Sequence, residues 1–188
     1  MKKYKSVIIY IIIFITFMIL AIYGYNYLQN NYQEDKKEEN GLQNNIATNL
    51  NRATDFKAVN NNGEEISLSK YFGKPIVVNF WEIWCTPCKL ELPEFNEAYL
   101  KYGDKVEFMM VNLTDAYKGD TKNIKEFVNN NNYKFPIYFD VNNSASIAYN
   151  LYSIPKTIFI DKNGNMIDVA LGMLTGDKLE NYIQKLLK

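Results

Sequence analysis

The stretch that decides the fold reads Ile76-Val77-Val78-Asn79-Phe80-Trp81-Glu82-Ile83-Trp84-Cys85-Thr86-Pro87-Cys88. Its first part is a short apolar run, which is typical of a buried strand. Pro87 fits the first turn of a helix, where a missing N–H costs nothing. A buried strand, then Cys-x-x-Cys, then a helix start is the order that thiol–disulfide exchange requires, so these residues indicate a redox-active cysteine pair.

The two cysteines are expected to have different roles because they occupy different positions in the helix. Cys85 stands at the helix N-terminus, where free backbone amides and the helix dipole favour thiolate over thiol, and we expect it to be exposed. Cys88 lies about one helical turn further on, close enough to form a disulfide with Cys85. Cys85 is therefore predicted to be the attacking thiol and Cys88 the resolving thiol.

Other uses of a cysteine pair fit this chain less well. The chain has two cysteines and no histidine, whereas a structural zinc site usually takes four such ligands. Covalent c-type haem needs a histidine directly after the motif, where this chain has Lys89. A purely structural disulfide would close so small a loop that it removes little entropy from the unfolded chain. We expect no metal ion and no cofactor beyond a redox-active Cys85–Cys88 disulfide.

Three parts of the chain resemble the thioredoxin superfamily, and most closely its membrane-anchored, extracytoplasmic TlpA/ResA-like branch. They are Asn79–Pro93 around the cysteines, Ala53–Phe56 with Ile66–Pro75 before them, and Tyr152–Gly164 after them. The resemblance implies an α/β, thioredoxin-like fold: a central mixed sheet with helices on both faces, an N-terminal hairpin, and a helix-and-strand insertion from Thr114 to about Tyr149.

The same resemblance assigns roles near the cysteines. It implies that the Ile154–Pro155 bond is cis, that Pro155 packs against the disulfide and that the backbone of Ile154 binds substrate. Glu91 matches a glutamate that this branch keeps near its sulfurs, where it can accept or relay a proton; a solvated helix glutamate is the alternative. Cytoplasmic thioredoxins place a buried Asp where this chain has Asn79. The remaining residues assigned to substrate binding are Trp84, Thr86 and Pro87.

Periodicity predicts the other elements of the domain. Alternating apolar residues indicate strands, and apolar residues at i, i+3 and i+4 indicate helices. The turn at Asn163-Gly164 predicts a hairpin. The expected strands are Val106–Leu113, Ile137–Phe139, Ile158–Ile160 and Met166–Leu171, and the expected helices lie around Ile124–Val128, over Ser144–Asn150, and from an N-cap near Thr175 through Leu187.

The N-terminal part of the chain predicts a membrane anchor. Val7 to about Tyr25 is an almost unbroken apolar stretch, which at about 1.5 Å per residue nearly spans a hydrocarbon core of about 30 Å. Lys2, Lys3 and Lys5 precede it, so the positive-inside rule keeps the N-terminus cytoplasmic. A cleaved signal peptide is the alternative, although no small-x-small site follows the apolar core.

The chain is thereby divided into three parts. Residues 1–25 are predicted to be a cytoplasmic tip and transmembrane anchor, residues 26–51 a polar linker, and residues 52–188 an extracytoplasmic thioredoxin-like domain. Within the linker, apolar residues at helical spacing could form a short stripe; they are Leu42, Ile46 and Leu50.

These features together predict a single-pass bacterial membrane protein that reduces disulfides of envelope or secreted proteins through Cys85 and Cys88. The reducing direction and a membrane thiol–disulfide electron donor are what the family resemblance implies, and candidate substrates are apocytochrome c, methionine sulfoxide reductase or another cell-envelope protein. A disulfide-forming oxidase and a binding or chaperone module with a structural disulfide are the alternatives. The formal net charge is +0 and no basic cluster alternates with aromatic residues, so we expect no nucleic-acid partner.

Overall fold

The computed structural model describes residues 14–27, 51–114 and 121–188, and the chain divides into two compact units, Met1–Leu50 and Asn51–Lys188. In the first unit, residues 14–27 form a helix, α1. No helix within the described residues is both long and apolar enough to cross a membrane. Residues 7–13 of the predicted anchor and residues 28–50 of the predicted linker, with its helical stripe, lie outside the described residues.

The second unit alternates strands and helices. Its first two strands form a hairpin, which is followed by one 3-10 turn, Leu68–Tyr71. The strands are β1 (Lys57–Asn60), β2 (Glu65–Ser67), β3 (Ile76–Trp81), β4 (Glu107–Asn112), β5 (Ile137–Phe139), β6 (Lys156–Ile160) and β7 (Met166–Leu171), and the helices are α2 (Thr86–Tyr102), α3 (Thr121–Asn130), α4 (Ser144–Ala148) and α5 (Gly176–Leu186).

The strands form one mixed sheet in the order β2-β1-β5-β4-β3-β6-β7. β3, β4 and β5 run parallel to one another, whereas β1 and β6 join this group antiparallel. The hairpin therefore continues the sheet through β5, and β3 lies between β4 and β6. The predicted mixed sheet, N-terminal hairpin and insertion are confirmed, with α3, β5 and α4 between β4 and β6.

Strand β3 is buried along its whole length because helices or turns cover both faces of the sheet. Val77 and Trp81 face one core, which contains the buried sides of α2, α3 and α5. Ile76, Val78 and Phe80 face a second core, which contains the 3-10 turn and α4. This alternation follows the two-residue period of a strand and places the odd-numbered positions of β3 beneath α2.

Helix α2 begins at the cysteine pair. Cys85 is its N-cap, with extended backbone, and Pro87 lies in its first turn, as the sequence predicts. The helix continues through Pro93, which is exposed. Its buried face follows helical spacing and consists of Cys88, Glu91, Leu92, Phe95, Ala98 and Tyr102.

The remaining predicted elements are present with small changes at their ends. Strand β5 matches the prediction, and the last helix begins after Thr175, although the Thr175 side chain makes no capping hydrogen bond. The β6–β7 turn is held by Asp161, whose Oδ1 accepts the backbone N–H groups of Asn163 and Asn165 at 2.8 and 2.9 Å. Gly164 has a φ of 84° in this turn and lies against the ring of Phe72.

Candidate active site

The cysteine pair forms a disulfide at the start of α2. Cys85 and Cys88 are joined with a Cα–Cα distance of 5.3 Å, and Cys85 Sγ accepts the backbone N–H of Cys88 at 3.2 Å. Cys88 is fully buried and Cys85 is only 4% exposed. The expectation of an exposed Cys85 is therefore wrong for this oxidised form, because Ile154, from a distant part of the chain, lies against its sulfur.

The loop before β6 lies directly beside Cys85. The carbonyl oxygen of Ile154 is 3.8 Å from Cys85 Sγ, and the Ile154–Pro155 bond is cis, as the resemblance implies. Pro155 is buried, and its carbonyl oxygen accepts the N–H of Gly172 at 2.9 Å. The structure thus brings together Cys85, the residues before β6 and the loop after β7.

Glu91 is completely buried on the inner face of α2, one helical turn after Cys88. Its Oε1 accepts from Asn79 Nδ2 at 2.8 Å, and its Oε2 accepts the backbone N–H of Leu174 at 2.8 Å. The alternative of a solvated glutamate is wrong. Burial raises the pKa of Glu91 from its ordinary 4.5 to about 7, against the opposing effect of the hydrogen bonds from Leu174 and Asn79.

Asn79 occupies β3 directly beneath this carboxyl and is also fully buried. Its Nδ2 donates a second hydrogen bond, to Thr157 Oγ1 of β6 at 3.0 Å. Glu91 is thus linked to the central strand, to the strand after Pro155 and to the loop before α5. Thr157 and Leu174 were not identified from the sequence, because no spacing signal connects Leu174 to a residue 83 positions earlier.

Glu82 is a second buried acid near the motif, and it has a different environment. Its Oε2 accepts the N–H of Ile83 at 3.1 Å and the side-chain amide of Asn112 at 3.4 Å. It is therefore bound to its own loop and to β4. In residues 14–27, 51–114 and 121–188, no three acidic or cysteine side chains are grouped so that they could hold a metal ion.

Three of the residues expected to contact substrate are exposed next to the disulfide, whereas Ile154 is half-buried and Pro155 is buried. Thr86 and Pro87 are exposed in the first turn of α2, and Trp84, directly before Cys85, is 72% exposed. Trp81 is fully buried beneath them. Tyr152, which sequence reasoning did not single out, is 93% exposed two residues before Ile154.

An uncharged surface surrounds Cys85. Three segments meet there through the Cys85–Ile154 contact and the Gly172–Pro155 hydrogen bond. These segments are Trp84–Pro87, Tyr152–Pro155 and Leu171–Leu174, and none contains a charged residue. Such a surface suits a polypeptide segment with apolar side chains beside its disulfide.

Comparison with known families gives one match that covers most of the second unit. Residues 50–169 match the model of the AhpC/TSA family. The chain is 31% identical over 187 residues to the thiol-disulfide oxidoreductase ResA of Bacillus thuringiensis subsp. konkukian, covering 99% of each chain.

Solved structures of other proteins share the fold of this chain. StoA from Bacillus subtilis is 27% identical, with a TM-score of 0.61, and the match covers 71% of this chain and 98% of StoA. The exposed lipoprotein thioredoxin Etrx1 of Streptococcus pneumoniae is also 27% identical, with a TM-score of 0.60, over 70% of this chain and 99% of Etrx1.

Proposed function

We propose a detailed function from one premise: this chain belongs to the AhpC/TSA family of thioredoxin-like proteins and is a thiol–disulfide oxidoreductase. The observation that carries the proposal is the position of the disulfide. Cys85 lies at the N-cap of α2, against the carbonyl of Ile154, with its partner sulfur buried behind it. A helix N-terminus stabilises a thiolate at Cys85, which suits an attacking group.

The reaction proceeds in two exchanges. In the reduced protein, the Cys85 thiolate attacks one sulfur of a substrate disulfide; that S–S bond breaks, a Cys85–substrate disulfide forms, and the first substrate sulfur leaves as a thiolate and takes a proton. Cys88 then loses its proton and attacks Cys85 Sγ, which releases the second substrate sulfur and forms the Cys85–Cys88 disulfide. The second substrate sulfur also leaves as a thiolate and takes a proton. The substrate thus gains two electrons from the cysteine pair and two protons, one released by Cys88 and the other by Cys85 when its thiol ionised.

Glu91 is proposed as the proton acceptor for Cys88. It lies on the same face of α2 one turn further on, and its carboxylate is held by Asn79 and Leu174. A carboxyl with a pKa of about 7 exchanges protons readily near neutral pH. A thiol that must ionise while fully buried needs such an acceptor, since burial favours the neutral form.

Substrate is proposed to dock across the uncharged surface around Cys85. The carbonyl oxygen of Ile154 lies 3.8 Å from the sulfur, Pro155 follows it in the chain, and the exposed Trp84, Thr86 and Pro87 flank Cys85. Because Cys85 is only 4% exposed in the disulfide form, access depends on a partner that fits these segments. The proposed substrates are disulfide-bearing proteins rather than small-molecule disulfides.

The domain is proposed to lie outside the cytoplasm, held by a membrane helix over Val7–Tyr25 with its N-terminus inside. The three lysines before that apolar stretch support this orientation. Etrx1, a structural relative, is named an exposed lipoprotein, which supports an external location. In this place the protein would reduce disulfides of envelope or secreted proteins and be reduced again by a membrane thiol–disulfide donor.

Trapping of the mixed disulfide tests this function. Full-length protein carrying Cys88→Ser, expressed in cells, should accumulate disulfide-linked complexes through Cys85, because the second exchange is blocked. Cys85→Ser is the matched control and should form none. Reduced parent protein should also reduce a peptide disulfide with turnover, and both variants should not. Absence of complexes together with absence of turnover in the parent would exclude the proposed activity.

The direction of the reaction is tested with the same parent protein. If the parent is mainly oxidised in cells and forms disulfides in a reduced peptide faster than it breaks them, the direction is oxidising.

The location of the domain is tested separately. Digestion of the domain by protease added to intact protoplasts is expected for an external domain. Digestion only after lysis would contradict that location.

A further inference from the structure

The side-chain amide of Asn79 is fully buried and has a partner at only one end. Its Nδ2 donates both hydrogens, to Glu91 Oε1 at 2.8 Å and to Thr157 Oγ1 at 3.0 Å. Its Oδ1 has no hydrogen-bond partner among the described residues. Buried polar atoms without partners destabilise a fold and are uncommon, so this one calls for a physical reason.

We propose that Asn79 is a positioning residue that serves both protonation states of Glu91 by turning its amide over. With Glu91 ionised, Nδ2 donates to the carboxylate and to the Thr157 oxygen. With Glu91 protonated, Oδ1 takes the place of Nδ2 and accepts the O–H groups of Glu91 and Thr157. This inference rests on the proposed role of Glu91 as a proton acceptor.

The chemistry of the amide group supports both orientations. The NH₂ end of an asparagine donates two hydrogen bonds and the oxygen end accepts two, while a hydroxyl such as that of Thr157 can do either. Turning the amide therefore satisfies the same two neighbours in both states. It exchanges one unpartnered end for the other, so the charge of Glu91 decides which orientation is favoured.

An aspartate in place of Asn79 could not hydrogen-bond to both protonation states of Glu91 in this way. An ionised aspartate only accepts hydrogen bonds, and it would place a second negative charge 2.8 Å from Glu91, in the position of the present donor. A leucine would have a similar volume but no partner for either state of the carboxyl. The amide of Asn79 thus lets Glu91 gain and lose a proton, while Glu91 and Thr157 both stay hydrogen-bonded to Asn79.

Among the hydrogen bonds of Glu91, the one with the Asn79 amide is the one that can change direction. Its Oε2 accepts the backbone N–H of Leu174, which is a fixed donor. β3 and residues 172–175 carry no ionisable side chain. The Lys156 ammonium of β6 donates to the carbonyl of Tyr149 instead, and on α5 Asp177 and Lys178 are exposed.

The remaining ionisable groups near Glu91 lie on α2 and the later part of α5. On α2 these are the cysteine pair, one turn before Glu91, and Glu94, whose carboxylate lies against Gly176. On α5, Glu180 pairs with Lys101 and Lys185 pairs with Asp168. None of these side chains is hydrogen-bonded to Glu91 within the part of the chain that the structure describes, so the amide of Asn79 is its side-chain partner there.

Nuclear magnetic resonance of the full-length oxidised protein tests the proposal directly. In the disulfide form the cysteines do not titrate, and the ¹³C carboxyl signal of Glu91 is identified by its loss in Glu91→Gln. We expect the two Asn79 Hδ2 signals to move upfield as the pH falls, because the hydrogens leave their acceptors. Their midpoint should equal that of the Glu91 ¹³C carboxyl signal, and Glu91→Gln should abolish the change.

Substitution at Asn79 gives a second measurement. Asn79→Leu removes the stronger, charge-assisted bond to the carboxylate, so the Glu91 midpoint should rise by about one pH unit, a tenfold change in its protonation constant. The matched control is Asn112→Leu, a buried asparagine on the neighbouring strand whose amide donates to the Trp81 carbonyl. This control should leave the Glu91 midpoint unchanged.

Three results would overturn the proposal: Asn79 Hδ2 signals that stay constant while Glu91 titrates, a Glu91 midpoint that Asn79→Leu does not move, or no Glu91 titration between pH 5 and 9. The first result needs no substitution and so does not depend on the folding of a variant. Failure of the oxidoreductase function would be seen separately, as absence of peptide-disulfide reduction by the parent, because the titration is measured without turnover.

Discussion

Two fully buried carboxylates in this protein have different surroundings. Asp140 follows β5, and its oxygens accept three hydrogen bonds: from the backbone N–H of Ala145 at 2.9 Å, and from the N–H and the hydroxyl of Ser146 at 2.8 and 2.7 Å. Glu91 accepts two, one from a side-chain amide and one from a backbone N–H in a distant loop. Both residues are 0% exposed.

The difference teaches what a buried charge is used for. Asp140 receives the free N–H groups at the start of α4, where a helix N-terminus favours a negative charge, so its role is to hold α4 against the sheet. Glu91 has fewer donors, and burial raises its pKa to about 7. A buried acid with many fixed donors is structural, whereas one with few donors beside a reactive group is able to exchange a proton.

The largest expected effect is on the free energy of unfolding, and it tests the structural role of Asp140. Asp140→Ala leaves the N–H groups of Ala145 and Ser146 without an acceptor, so the free energy of unfolding should fall by about 4 kcal/mol. Urea unfolding at fixed pH measures it. Turnover per folded molecule should be unchanged; a large loss of turnover in protein shown to be folded would remove the distinction between the two carboxylates.

The next effect concerns the pH dependence of stability. Because the pKa of Glu91 is about 7 in the folded protein and 4.5 ordinarily, the folded state holds a proton between these values that the unfolded chain has released. Stability contributed by this group is therefore full below pH 4.5, is lost as the pH rises to 7 and stays level above. The loss is about 3 kcal/mol.

Comparison of the parent with Glu91→Gln isolates this contribution. The difference between their free energies of unfolding, measured in urea from pH 4.5 to 8, should change in favour of the variant as the pH rises. A difference that is constant over that range would show that Glu91 keeps an ordinary pKa in the folded protein.

A smaller effect is expected on the reaction. In the parent, the resolving step by Cys88 should quicken as the pH rises through about 7, because Glu91 becomes able to accept a proton. Glu91→Gln should slow this step about tenfold at pH 7.5, equivalent to about 1.4 kcal/mol. Rapid-mixing measurements of mixed-disulfide resolution would show it, with Asp140→Asn as the control that keeps the parental profile.

The smallest effect sharpens the comparison on the Asp140 side. Ser146→Ala removes one of the three donors to Asp140 and leaves the two backbone donors in place. The free energy of unfolding should fall by about 1 kcal/mol, the usual contribution of one hydrogen bond. Thermal melting compared with Ser153→Ala, an exposed serine in another loop, checks it. A loss as large as that of Asp140→Ala would mean that the hydroxyl, and not the helix start, holds the carboxylate.

Much of the fold could be predicted because its signals are local. The strand β5 over Ile137–Phe139 and the hairpin at Asn163-Gly164 follow from runs and turns of a few residues, and their presence is confirmed. The burial of Cys85 could not be predicted in this way. It depends on Ile154, a residue that lies far along the chain and meets the sulfur only after β6 pairs with β3.

The environment of the two carboxylates shows the same limit. The position of Glu91 on the inner face of α2 follows from helical spacing after Cys88, yet its partner Leu174 arrives from a loop with no pattern that links them. Asp140 was not singled out, because a lone acid before a short helix does not indicate by itself whether it is buried. Residue spacing predicts which face a side chain occupies, and the contacts across elements then decide its chemistry.

The order of the chain has a consequence for the newly made protein. Cys85 and Cys88 precede the segments that bury them, since Ile154 and Leu174 come about 70 and 85 residues later. Synthesis runs from the N-terminus, so there is a period in which both thiols exist without their cover. During this period the thiols of Cys85 and Cys88 are accessible to oxidants and to disulfides of other molecules. The time needed to complete β6 and β7 sets how long this exposure lasts.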